Sequence, residues 1–198
     1  MVGDTGANLT DTSNEVESSR FPTIVEVYRN FEPPPSLKRD VEMLVSYVPQ
    51  KYLVGLKTII LTNKAGMTRD KRRQKVWSRN HKILLSDARG SYSAATRSSA
   101  ASVSLYVDNI VESDPDWFRT LPVFGHGTLA HVLYHEIGHH IHRAIRPVYK
   151  EKEDVADDWS GRLWGNFCRK HYWYMFPLLW LLARAASPIA KRLKRRTR

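Results

Sequence analysis

A single cysteine, Cys168, stands in a chain of 198 residues. One thiol excludes an intramolecular disulfide and a cysteine-rich zinc site, and it fits a reducing compartment. Lying on an amphipathic segment, it reads as a packed side chain rather than a nucleophile. The chain also lacks an unbroken run of about 20 apolar residues, the length that spans a bilayer as a helix. Its strongest apolar stretch, Tyr172 to Ala186, is interrupted by Pro177 and Arg184, which favours a buried last helix. The first twenty residues have no lysine and no apolar run, and they carry Asp4, Asp11, Glu15 and Glu17 against Arg20 alone. They do not read as a signal peptide; their Gly, Thr, Ser, Asn and Glu content is that of a disordered acidic tail. Internal repeats, phosphate-binding glycine loops and Cys/His finger spacings are absent as well. The organisation expected is a tail over 1–20, one domain over 21–170, and an apolar then polybasic segment over 171–198. A hydrophobic fraction of 42% is enough to give one domain of this size a core.

Positive charge is abundant and clustered. The formal net charge is +11. One cluster is Arg69, Lys71, Arg72, Arg73, Lys75, Arg79 and Lys82; the other is Lys191, Arg192, Lys194, Arg195, Arg196 and Arg198. Such clusters attract phosphates of nucleic acid or lipid headgroups, or acidic protein, or else simply solubilise a loop and a tail. Aromatic residues beside the C-terminal apolar run, followed by the basic tail, also suit an anchor on an anionic membrane surface.

Periodicity sets the expected elements. Pro33-Pro34-Pro35 ends the first apolar segment. After Ser36 a helix follows, with Leu37, Val41, Leu44, Val45 and Val48 as its buried stripe. Gly55 to Thr62 and Lys82 to Ser86 read as strands, and Gly90 to Ser99 as a Ser/Ala-rich connection. Ala101 to Asp108 alternates clearly, with Val103, Leu105 and Val107 on one face and Ser102, Ser104 and Tyr106 on the other. Trp117-Phe118 and Leu121 to Phe124 are expected to cap the core.

The chemistry concentrates in Ala130 to His142, which contains His135-Glu136-Ile137-Gly138-His139. On a helix, His135 and His139 share a face one turn apart, and Glu136 is turned about 100° from the first histidine. That placement suits a zinc ion held by two imidazoles, with a carboxylate that does not bind the metal acting as general base. Leu129, Ala130, Leu133, Ile137, Ile141 and Ala144 form the opposite, apolar arc. Thr128 is the expected N-cap and Pro147 the terminator. Gly138, unfavourable inside a helix by about 1 kcal/mol, is expected to admit another element closely. A third ligand is required, and Glu153-Asp154-Val155-Ala156-Asp157 supplies it within a second helix whose stripe is Val155, Ala156, Trp159, Leu163 and Phe167. Glu153 as ligand with Asp157 orienting a histidine is the favoured assignment; Asp154, Asp157 and Asp158 compete as the third ligand.

His135-Glu136-x-x-His139 followed by Glu153-x-x-x-Asp157 resembles the gluzincin branch of the zincin metallopeptidases. Glu153-x-x-Ala156-Asp157-x-Trp159 is also similar, less specifically, to the small bacterial ImmA/IrrE-type metallopeptidases. The resemblance covers roughly residues 120 to 168. It implies an α+β zincin-like domain, with a small mixed sheet packed on the active-site helix and a helical C-terminal part. It implies Zn2+ as cofactor, His135, His139 and Glu153 as ligands, Glu136 as general base, Asp157 behind a ligand, and hydrolysis of a peptide or protein substrate. It also implies a strand ahead of the helix that pairs with the substrate, here Val103, Ser104, Leu105, Tyr106 and Val107, although an ordinary half-buried strand accounts for the same pattern. An oxyanion-stabilising group is needed, for which His126, Tyr92 and His171 are the candidates. The location expected is the cytoplasm, with membrane association through the C-terminal segment. Two other classes use the same residues: an inactive metal-binding adaptor, and a protein that binds nucleic acid or a membrane surface through its basic clusters.

Overall fold

The computed structural model describes residues 21–78, 81–113, 126–145 and 152–175. The expectations for residues 1–20 and 176–198, for Trp117 to Phe124 and for Pro147 lie outside the described residues; at the start of the C-terminal apolar run Tyr172 is buried, but Trp173 and Tyr174 are exposed. Strand β1 (Thr23–Val27) is followed by the three prolines and by helix α1 (Leu37–Ser46). Its expected stripe is buried in full, Val48 included. Strand β2 (Leu56–Thr62), the short basic helix α2 (Arg69–Arg73), the hairpin of β3 (Lys75–Ser78) and β4 (His81–Leu84), and strands β5 (Gly90–Ser93) and β6 (Ala101–Tyr106) come next. Helix α3 (Val107–Ser113) follows β6 directly. Helix α4 (Gly127–His140) runs into a π-helical turn at Ile141–Ile145, and α5 (Lys152–His171) ends in a short 3-10 turn, Trp173–Met175.

The main sheet has the order β1-β2-β6-β5; β1, β2 and β6 are parallel, and β5 is antiparallel to β6. Parallel neighbours need a crossover, which α1 supplies between β1 and β2. The two central strands read as branched and apolar because they are covered: Ile59, Leu61, Val103 and Leu105 are wholly buried. The fold is thus α+β with a small mixed sheet, and α4 packs on it through β5 and β6. Tyr134, also wholly buried, donates from its hydroxyl to the Leu44 carbonyl at 3.0 Å and ties α4 to α1. Among the described residues no helix is long and apolar enough to cross a membrane.

Four local expectations change. Gly90–Ser93 is a strand rather than connection: four residues are too few for alternation to outweigh Ser/Ala composition. Val107 opens a helix instead of closing a strand. Helix α4 starts after His126, which makes no side-chain cap, so Thr128 is not the N-cap. Ala144 is exposed, because the π turn carries it off the apolar arc. The arc is otherwise buried as expected, and so is the stripe of α5.

Helices α4 and α5 meet at Gly138. A β-carbon there would lie 2.8 Å from the Ala156 carbonyl oxygen and 2.9 Å from its Cα. Backbone on both sides leaves nothing flexible to move aside, so overpacking outweighs the gain in helix propensity. Gly138→Ala is expected to destabilise the protein by about 1–3 kcal/mol in urea unfolding; an unchanged or raised midpoint would show that the contact is not tight.

Candidate metal centre

The contact at Gly138 carries the first turn of α5 against the middle of α4. Glu153 Oε2 comes to 3.4 Å from His135 Nε2, and Glu153 Oε1 to 3.6 Å from His139 Nε2. All three side chains are about one-fifth exposed. They form a group that can hold a metal ion. Asp157 Oδ1 lies 2.9 Å from His135 Nδ1; that hydrogen bond puts the proton on Nδ1 and turns the Nε2 lone pair towards Glu153. Asp154 and Asp158, the competing carboxylates, point outward and are exposed.

Glu136 is buried, on the side of α4 that faces β5. A β-carbon on Gly90 would stand 2.8 Å from Glu136 Oε1 and 2.9 Å from its Cγ. Only glycine lets the strand pass this close over the carboxyl group. Burial is the main cause that pushes the Glu136 carboxyl up from 4.5 to about 8, with the Glu153 charge adding to it and the Tyr92 backbone N–H, which donates to the carboxylate, opposing it. Burial also pushes His139 down from 6.5 to about 4, reinforced by His135 and His142. A neutral imidazole is the form that binds a metal.

Of the three oxyanion candidates, Tyr92 lines the cleft, whereas His126 and His171 do not. His126 sits at the start of α4, nine residues and about 13 Å along the axis from His135. Its Nδ1 is 3.0 Å from the Tyr172 hydroxyl and its Nε2 3.6 Å from Asp40. His171 is at the far end of α5, stacked on Phe167 and 3.1 Å from the Tyr47 hydroxyl. Tyr92 does border the cleft, but its hydroxyl is engaged at 3.2 Å by Nδ1 of the fully buried His140, whose Nε2–H donates to the Val54 carbonyl at 3.0 Å. With Nε2 protonated, Nδ1 accepts, and the Tyr92 proton is committed.

The strand Val103 to Val107 does not pair with a ligand either. Strand β6 is hydrogen-bonded to β2 on one side and β5 on the other, so it has no free edge. Strand β5 is one of the two edge strands, β1 being the other, and it borders a cavity of about 970 Å3 that is also lined by His131, His135, Glu136, His139, His142 and Glu153. The far wall is the β3–β4 hairpin, through Val76 and Ile83, with Leu85 just beyond it. His131, His142 and this wall were not singled out from sequence; His131 and His142 share the arc of His135 and His139, which is the signal that was there to use.

Comparison with profiles of known protein families, with curated proteins and with solved structures finds no match for the chain.

The two shifted groups make opposite contributions to stability in the metal-free protein. Glu136 holds a proton in the fold that the unfolded chain releases above 4.5, so stability falls as pH rises from 4.5 to about 8. His139 stays neutral in the fold while the unfolded chain protonates below 6.5, so stability falls as pH drops from 6.5 to about 4. With chelator present, the melting temperature is therefore expected to decline between pH 6.5 and 8, where Glu136 acts alone, and Glu136→Gln should flatten that decline. A decline that persists in the variant would assign it to other groups.

Proposed function

We propose that the protein is a zinc-dependent metallopeptidase of zincin-like architecture. The observation that carries this reading is the set of distances from Glu153 to the two histidines. Ligand bonds of about 2.0–2.1 Å around a tetrahedral ion place neighbouring ligand atoms about 3.4 Å apart. His135 Nε2 stands 3.4 Å from one oxygen of the Glu153 carboxylate and His139 Nε2 3.6 Å from the other, and one ligand atom from each of the three residues lies within 4.8 Å of the others, close enough for a single ion to draw two nitrogens and a carboxylate together, a donor set suited to zinc. Three protein ligands leave a fourth position for water, as a catalytic site requires. Zinc bound there would supply Lewis acidity and lower the pKa of a water from about 15.7 to about 7.

The chain's own residues provide the rest. Glu136, which the ligand cluster leaves out and whose ionised form a bound dication would favour over the protonated form of the metal-free fold, takes a proton from the attacking water and delivers it to the leaving amine as the C–N bond breaks. Asp157 holds the His135 ring in its ligating tautomer. The substrate lies along β5. Because the Arg89 carbonyl accepts from the Tyr106 N–H at 2.8 Å, the period of two turns the main-chain groups of Gly90 and Tyr92 away from β6; the Tyr92 N–H donates to Glu136, so a ligand would pair through the other main-chain groups of this edge. An extended peptide can add to that edge. His131 and His142, which line the cleft, replace His126, Tyr92 and His171 as candidates for steadying the oxyanion.

Protein purified without a histidine tag is expected to carry about one zinc per chain by mass spectrometry, and Glu153→Ala to lose it. Absence of zinc after reconstitution at neutral pH would end the enzyme reading. Glu136→Gln should keep the zinc and lose about 10²- to 10⁴-fold in peptide cleavage; a variant that cuts as fast as the parent would refute the general-base role, and a parent that cuts nothing points to a metal-binding adaptor. Asp157→Asn is expected to weaken zinc binding about 10- to 100-fold, read by competition with a chelating dye.

A further inference from the structure

The cleft is bordered by three cations, Arg89, Arg143 and Lys152, all exposed. Among the described residues none of them forms a salt bridge. They stand at both ends of the site. Gly90 abuts Val132 and Glu136, while the Tyr92 hydroxyl reaches His140, so β5 and α4 run in the same direction along the cleft. Arg89 precedes β5 at one end. At the other, Arg143 follows α4, close enough for its charge to act on Tyr92, and the charge of Lys152 acts on His139.

The acids of the cleft are already engaged. Glu153 and Asp157 face the histidines, and Glu136 lies beneath β5. Asp87 is paired with Lys64 Nζ at 3.3 Å and accepts from the Ser86 hydroxyl at 3.1 Å. A bound dication would offset the charges of Glu153 and Asp157 and leave the three cations unbalanced. Helix α2 and Lys75, exposed beside the hairpin wall, extend the same sign of potential outward and draw in anions. Between the cations the wall is apolar: Val76 and Ile83 are half-buried and Leu85 is buried.

Building on the peptidase reading, we propose that the cleft selects acidic peptides, seating an apolar side chain against Val76, Ile83 and Leu85 and flanking carboxylates against Arg89, Arg143 and Lys152. A single-stranded nucleic acid would match the charge but not the rest. Such ligands stack their bases on aromatic platforms, whereas among the described residues Tyr92 is the one Phe, Tyr or Trp that lines the cleft, and its hydroxyl is bonded to His140. A sheet edge that no further strand covers among the described residues, and an apolar wall, are features a peptide uses.

The test compares two labelled decapeptides with the same apolar centre, flanked by glutamates or by lysines. Their binding to the Glu136→Gln protein is followed by fluorescence anisotropy. The acidic peptide is expected to bind about tenfold more tightly, with the preference shrinking as salt is raised and falling below about threefold in the Arg89→Gln/Arg143→Gln/Lys152→Gln variant. These side chains are exposed, so an unchanged melting temperature is the control for folding. Equal binding of the two peptides, or a preference that survives the triple substitution, overturns the proposal; so does an oligonucleotide of equal charge that binds more tightly and displaces the acidic peptide. Cleavage of the same pair by the parent protein reports on the underlying reading separately. Equal kcat/KM for both peptides would keep a peptidase and discard the charge selection. Acid-selective binding with no cleavage would discard the peptidase and keep the selection.

Discussion

The close approach of two helices is the constraint on which the site depends. Two histidines one turn apart are set by the helix alone, but a third ligand from another element has to arrive within about 3.5 Å of both. Gly138 makes that approach available. Without a side chain on α4 at that point, the Ala156 backbone settles against it, and Glu153, one turn earlier on α5, comes level with His135 and His139. The apolar stripe of α5, from Val155 to Phe167, holds this approach in place by burial. The group that could hold a metal ion is thus positioned by packing that none of its members takes part in.

A second close approach sits on the other side of α4. Gly90 lets the edge strand cross directly over Glu136, which shields the carboxyl group from water and raises its pKa. The strand is held there from below by Tyr92 and His140, and His140 in turn is fixed by the Val54 carbonyl next to Gly55, whose φ of +85° only glycine adopts without strain. Two glycines far apart in sequence therefore govern the two sides of one helix. One brings in a ligand, the other a lid of backbone.

Much of this was legible in the residues. The stripes of α1, α4 and α5 follow a period of 3.6 and are buried nearly as that period requires, and β2 and β6 follow branched and alternating patterns. The group His135, His139 and Glu153 is what the spacing favours, with Asp157 behind His135. What misled was sequence evidence of low content. Four residues of Gly-Ser-Tyr-Ser are too short to show a period, so the edge strand was hidden in a Ser/Ala-rich run. Histidines and tyrosines look alike as candidates until their partners are known; His126, His171 and Tyr92 each have one elsewhere.

Sequence by itself determined which side chains share a helix face, which faces are apolar, and which residue types could bind a metal, because those properties depend only on local geometry and composition. Tertiary structure decided which carboxylate reaches the histidines, which strand has a free edge, and which cations border the cleft. Each of these is a relation between segments distant along the chain, and it exists only once sheet order and helix contact have brought them together.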